Sequence, residues 1–341
     1  MNRILPWEYN LRRIESITPA LRYDGKSDFK NWQDTARAKL CELLGMHRIQ
    51  KPDSPEFIIE YKEEREGHTE YRFLVESEPG YFVPCYMLVP EGIKTPAPTM
   101  LCLQGHSTGM HISIGKPIYE GDEGDINGGD RDFARRAIKE GCVAVAIEQR
   151  NFGECGAKPD GNPNCHVSSM SAILSGRTTI GERVHDTSCV IDALIANFDF
   201  VDKDRIMLMG NSGGGTATVY TAAIDTRISI AVPSCAVCTY KHSIAAMKHC
   251  VCNFVPNIAD YFDMGELCGL IAPRGLVVVN GRLDKIFPDA GVREVYAEAE
   301  RLYAASGSAD KCYLVTGEEG HRFYADIAWP KIHALMDETS K

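Results

Sequence analysis

Ser212, Asp284 and His321 are the residues of this chain whose types and spacing best suit acyl-transfer chemistry. A serine hydroxyl is a poor nucleophile until a base takes its proton, and an imidazole does this best near neutral pH. The imidazole in turn needs a carboxylate to fix its tautomer and stabilise the imidazolium. Ser212 lies in Gly210-Asn-Ser-Gly-Gly214, between the apolar run ending at Met209 and the small, apolar stretch 216–224. This reads as strand, tight turn and helix with the serine at the apex, where its hydroxyl stands clear of the backbone and the flanking glycines avoid collisions.

A second Gly-x-Ser-x-Gly, Gly105-His-Ser-Thr-Gly109, also follows an apolar run. Glycines, prolines and acids crowd the residues after Ser107, which read as a loop, so Ser212 is taken as the nucleophile. Asp284 is the first carboxylate after the strand-like run 275–279, and His321 is the only histidine in the loop after the run 311–315. Ligands of such sheets sit at the carboxyl ends of strands, and the chain order Ser, Asp, His is that of an α/β-hydrolase. His106, His185 and His333 are weaker candidates for the base; Asp289, Glu318 and Glu319 are weaker candidates for the acid. The tetrahedral intermediate needs two donors at its oxyanion. The backbone N–H groups of Gly213 and His106 are assigned that role.

The elements that must position these residues follow from hydrophobic period. Residues 29–44 repeat apolar positions at three and four, and Gly45 is a stop signal. Residues 1–55 are read as an N-terminal helical extension, and 56–341 as the main domain with a cap-like insertion at about 233–271. Period-two runs at 57–65, 70–76 and 81–89 predict antiparallel strands. Strands at 98–103, 143–148, 205–209, 228–232, 275–279 and 311–315 then alternate with helices at 132–139, 180–198, 216–224, 289–305 and 325–336. Residues 104–129 and 151–168 read as loops. The fold class is α/β, with a mostly parallel central sheet, antiparallel N-terminal strands and helices on both faces.

The 341 residues carry 37 basic and 47 acidic side chains, a net charge of −10 without a basic block, which disfavours nucleic acid and anionic membranes as partners. No apolar run is long enough to span a bilayer, and the N-terminus has no h-region. The 13 cysteines suit a reducing compartment, and the expected location is cytoplasmic. Cys235-x-x-Cys238 with His242, His249, Cys250 and Cys252 has the composition of a zinc site but lacks a second correctly spaced pair, so these are read as buried thiols, with no metal and no cofactor. The acidic stretch 122–130 does not match a calcium loop and is read as solvated. Arg150 is read as half of a buried ion pair in preference to a contact for an anionic substrate. The extension packs on the main domain, with a homo-oligomeric contact as its second candidate role.

With these residues in view, the chain resembles bacterial α/β-hydrolases of the acetyl xylan esterase and dienelactone hydrolase type. The resemblance is carried by Gln104-Gly-His106, Glu148-Gln-Arg-Asn-Phe-Gly153, Val201-Asp-Lys-Asp-Arg-Ile206, Gly210-Asn-Ser-Gly-Gly214, Ala272-Pro-Arg274, Gly281-Arg-Leu-Asp284 and Gly320-His321. It covers residues 55–340. Two departures matter. Dienelactone hydrolases place cysteine at the elbow where this chain has Ser212, and acetyl xylan esterases follow the serine with Gln where this chain has Gly213. The expected activity is hydrolysis of small, short-chain acyl esters, acetylated sugars among them, through an acyl-enzyme. Tyr240, Phe254 and Tyr261 of the cap are the candidate substrate walls. A peptidase or amidase on the same residues and a non-catalytic binding protein are the alternatives.

Overall fold

The runs at the middle of the chain are too uniformly apolar for strands with a wet face, and they form the interior of one nine-stranded sheet. The structure is a computed structural model and describes residues 3–339. The strands are β1 (Phe57–Arg65), β2 (His68–Glu78), β3 (Tyr81–Pro90), β4 (Ala97–Leu103), β5 (Val143–Ile147), β6 (Val201–Asn211), β7 (Ile228–Ser234), β8 (Gly275–Gly281) and β9 (Cys312–Gly317). Their order across the sheet is β1-β2-β3-β5-β4-β6-β7-β8-β9. Strands β1 to β3 pair antiparallel, β3 meets β5 antiparallel, and β4 to β9 run parallel. Glu60, Lys62, Glu63, Glu64 and Arg65 charge the outer strand β1, which protects its free edge from pairing with another chain.

Alternation along the parallel strands divides the core in two. Leu101, Leu103, Ile206 and Leu208 face the helices Phe29–Leu43, Thr179–Asn197, Gly213–Ile224 and Asp289–Ala305. Met100, Cys102, Met207 and Met209 face Phe133–Lys139 and Ala325–Thr339. The architecture is thus the expected mixed sheet with helices on both faces. Helix Gly213–Ile224 is apolar all round, and residues 213–223 are buried, as a helix enclosed on every side must be.

The extension shares this core. Asp28 caps its second helix by accepting from the Asn31 N–H, and Trp32, Gln33, Ala36 and Leu40 are buried. The Gln33 amide donates to the carbonyls of Gly269 and Ala272. Arg37 donates to Ala223 O at 2.9 Å, and Arg274 to Ala222 O at 2.6 Å. These cations satisfy carbonyls at the C-terminal end of the helix that begins at Gly213, where the negative end of its dipole lies.

Three expectations need correction. Residues 122–128 form a short helix, and the long loop after β5 ends at Cys165, where helix Cys165–Leu174 starts. The acidic stretch is not simply solvated: Asp122 is buried and accepts from the amides of Ile118 and Tyr119, the Thr108 hydroxyl and His111. Glycine and aspartate content hid the helix, because neither favours one in isolation. On helix Thr179–Asn197 both Arg183 and Asp186 are buried.

Asp186 holds Arg150, as the ion-pair reading of Arg150 required. Arg150 Nε lies 2.7 Å from Asp186 Oδ2 and Nη2 lies 2.7 Å from Glu78 Oε1, while Ser77 donates to Asp186 Oδ1 at 2.7 Å. Asp186→Ala leaves a buried guanidinium and hydroxyl short of an acceptor, and should lower unfolding free energy by about 3 kcal/mol in urea titrations.

Candidate active site

Strand β6 ends at Asn211 and the chain reverses at Ser212, with φ 56° and ψ −123°, before entering helix Gly213–Ile224. A serine avoids this backbone region unless its surroundings enforce it. The Ser212 N–H donates to Ser234 O on β7 at 2.8 Å, and its carbonyl accepts from the Thr216 N–H at 2.8 Å. Close packing closes the turn. A Cβ on Gly210 would fall 2.5 Å from the Gly214 carbonyl carbon, and one on Gly214 would overlap the Leu103 carbonyl of β4. Among the described residues the Ser212 hydroxyl has no hydrogen-bond partner.

The turn after β4 lies against this serine. A Cβ on Gly105 would fall 2.9 Å from Ser212 Cβ, and one on Gly213 would fall 2.8 Å from His106 Nδ1. The Gly213 N–H is at the first position of its helix, where amides lack intrahelical acceptors. Neither it nor the His106 N–H has an acceptor among the described residues. Both amides flank Ser212 and are free to receive a negative oxygen.

Asp284 and His321 come together from two loops. Arg282 N–H donates to Gly317 O and Leu283 N–H to Glu319 O, both at 2.8 Å, so the segments after β8 and β9 are zipped by backbone. Asp284 Oδ2 lies 2.7 Å from His321 Nδ1, while Oδ1 accepts from the amides of Ile286 and Phe287 at 2.8 and 3.1 Å. Asp284 is 4% exposed as a residue and its side chain is fully buried. Burial works to raise its pKa, but the His321 contact and the two amides outweigh burial and hold it below the ordinary carboxylate value. A carboxylate at Nδ1 selects the tautomer with the proton there and leaves Nε2 as the base. The Phe287 ring stacks on the imidazole, with centroids 5.9 Å apart and planes at 16°. The loop then reaches back over the sheet: Ser234 Oγ and Cys235 Sγ lie 3.5 and 3.2 Å from Arg322 O. Ser234 also accepts from Ser212, so one residue of β7 joins the serine turn to the histidine loop.

The weaker candidates are engaged elsewhere. Ser107 is buried, its hydroxyl turns to Gly105 O at 3.4 Å, and a 3-10 turn follows in place of an α-helix. His333 contacts Glu140, and His185 contacts Ser77 O. Asp289 binds Asn280 and Arg293, Glu318 binds Arg282, and Glu319 binds Arg322.

The cap aromatics sit differently from their expected place. Tyr240 is buried with its hydroxyl 2.8 Å from that of Tyr220. Tyr261 packs under Lys39 and accepts from the Leu21 N–H. Phe254 and Tyr240 line a cavity of about 330 Å³ with Ile14 and Ile17 of the extension, and Ser212, Asp284 and His321 are not among its lining residues. These rings therefore join cap to extension, because the insertion folds towards the N-terminal helix. Side chains that sequence reasoning missed lie nearer the imidazole. Phe287 stacks on it, and exposed Leu283 and Ile286 flank Asp284. Their position immediately beside Asp284 was the available signal.

The cysteine motif also divides. Cys235, at φ 46°, joins Asp284 and His321; Cys238 turns to Pro288 O, His242 to Thr239, and His249 to Ser243. Cys250 and Cys252 gather instead with His106 and Cys165.

The parallel strands, the serine turn after β6 and the helices on both faces define an α/β-hydrolase fold. Residues 11–302 match the Abhydrolase family (Abhydrolase_7), and the chain belongs to it. It is 28% identical over 292 residues to YtaP of Bacillus subtilis (strain 168), a protein named provisionally as a hydrolase, covering 84% of this chain and 92% of that one. A Bacteroides fragilis NCTC 9343 protein described provisionally as an acetyl xylan esterase superposes with a TM-score of 0.77 at 19% identity, covering 92% of this chain and 83% of its own. A glucuronoyl esterase from Solibacter usitatus gives 0.69 at 15% identity, covering 96% and 98%.

Glu148, at the end of β5, braces the turn beside His106. Its Oε2 accepts from the Met110 N–H at 3.2 Å, and a Cβ on Gly109 or Gly153 would collide with it. Burial pushes its carboxyl up from 4.5 to about 8. Between those values the folded chain holds a proton that the unfolded chain releases, so this group makes stability fall as pH rises. Glu148→Gln, which cannot ionise, should gain Tm relative to the parent from about pH 5 to about pH 8 and show a constant difference above that, as read by thermal melts across pH.

Proposed function

We propose that this protein is a serine carboxylic-ester hydrolase that cleaves small esters, with short-chain acyl groups and acetylated sugars as the substrate class. The observation that carries the reading is the Asp284–His321 contact, linked through Ser234 to a serine held at a strained turn with its hydroxyl unpartnered. Its similarity to solved carbohydrate esterases supports an ester of a sugar. Thirteen free cysteines support a reducing, cytoplasmic setting and therefore a small or imported ester over a polymer.

In this reading His321 Nε2 takes the proton of Ser212 as Oγ attacks the acyl carbonyl carbon. Asp284 holds the resulting imidazolium. The carbonyl oxygen, now negative, receives the N–H groups of Gly213 and His106, which need no reorganisation because no protein acceptor holds them. The intermediate collapses as the ester C–O bond breaks, and His321 returns its proton to the departing alcohol. Water then gives a proton to His321 and attacks the acyl-enzyme, releasing the acid and restoring Ser212.

A panel of short-chain acyl esters and matched amides tests this directly. Ester turnover should exceed amide turnover, and Ser212→Ala and His321→Ala should each lower kcat by about 10⁴. Ser107→Ala should change kcat by less than about threefold. Equal losses at Ser107 and Ser212 would reassign the nucleophile, and preferential amide cleavage would make the protein an amidase.

A further inference from the structure

We propose that His106, Cys165, Cys250 and Cys252 form a tetrahedral binding site for a thiophilic divalent cation, zinc in the first instance. The four come from three distant segments. His106 follows β4, Cys165 opens helix Cys165–Leu174, and Cys250 precedes and Cys252 lies within the single turn Val251–Asn253 of the cap. Their ligand atoms all lie within 4.8 Å of one another. His106 Nε2 is 3.2 Å from Cys252 Sγ, which is 3.3 Å from Cys250 Sγ. Tetrahedral zinc with these donors requires ligand–ligand edges of about 3.5–3.8 Å. Small side-chain rotations therefore bring the set to coordination distance around one centre. Cys165 and Cys252 are buried, whereas His106 and Cys250 are partly open, so an ion can reach the cluster.

Arg183 gives an independent pointer. It is 1% exposed, yet among the described residues no carboxylate pairs with it. Its guanidinium lies over the Phe152 ring, 4.2 Å from the centroid, and Nη1 is 3.7 Å from Cys252 Sγ. A buried cation without an anion is costly. Three thiolates around a divalent cation leave one negative charge, and Arg183 neutralises it. Binding displaces the thiol protons to solvent, which makes uptake stronger at higher pH. Four protein ligands close the coordination shell, so the ion has a structural role. It would pin the cap and helix Cys165–Leu174 to the His106 imidazole, which rests against Gly213 and the Phe152 ring.

The test uses the full chain, reduced and chelator-treated, then titrated with Zn²⁺ and with Co²⁺. The expected result is about one equivalent bound, with thiolate-to-cobalt charge-transfer bands and tetrahedral d–d bands. A Cys165→Ser/Cys252→Ser double variant should take up at least about tenfold less metal, while Cys142→Ser, at a remote buried thiol, should match the parent. If the double variant does not fold, the parent's cobalt spectrum decides the matter alone. Absence of stoichiometric uptake, an octahedral cobalt spectrum without thiolate bands, or a disulfide among these cysteines in place of metal would overturn the proposal. Metal content is read without turnover, so the outcome is independent of the ester-hydrolase reading.

Discussion

Ser212 occupies a backbone conformation that costs a serine about 1–3 kcal/mol, and much of the fold serves to enforce it. Gly210 and Gly214 let β4, β6 and the following helix approach more closely than any Cβ would allow. The Ser234 carbonyl fixes the amide of the turn, and helix Gly213–Ile224 is enclosed by apolar neighbours along its length. Arg37 and Arg274 hold the far end of that helix from outside the sheet. Through Arg37 the extension therefore meets the serine helix at its C-terminal end.

The same economy governs the Asp284–His321 pair. Asp284 would resist ionisation in its buried position, yet two backbone amides and the imidazole together keep it charged. Those contacts hold both carboxylate oxygens, which opposes rotation away from His321. The loops that carry both residues are tied to each other by backbone hydrogen bonds and to β7 through Cys235 Sγ. Positioning by strand ends and backbone hydrogen bonds gives the accuracy that the proposed acyl transfer demands.

Much of this was legible because the residues concerned obey local rules. The elbow announces itself by glycine spacing between an apolar strand and a small, apolar helix, and Asp284 and His321 each lie a few residues past a strand. The unbroken apolar runs of β5 and β8 likewise marked strands buried on both faces. What stayed hidden depends on contacts across the fold. No spacing relates Cys165 to Cys252 or His106, and only the route of the cap brings them together. Arg183 and Asp186 look like solvent-facing helix residues until β2 and β3 and the loop after β5 close over them. Tyr240, Phe254 and Tyr261 carried the right chemistry for a pocket wall, but the cap turns them towards the extension, a choice set by the extension's own apolar face.

The central claim is that Ser212 is an activated nucleophile. Peptide mapping and intact mass after treatment with a fluorophosphonate, which phosphonylates activated serines, test it most directly. The account predicts one adduct, on Ser212, abolished by His321→Ala. An adduct on Ser107, or folded protein that takes up none, would contradict it.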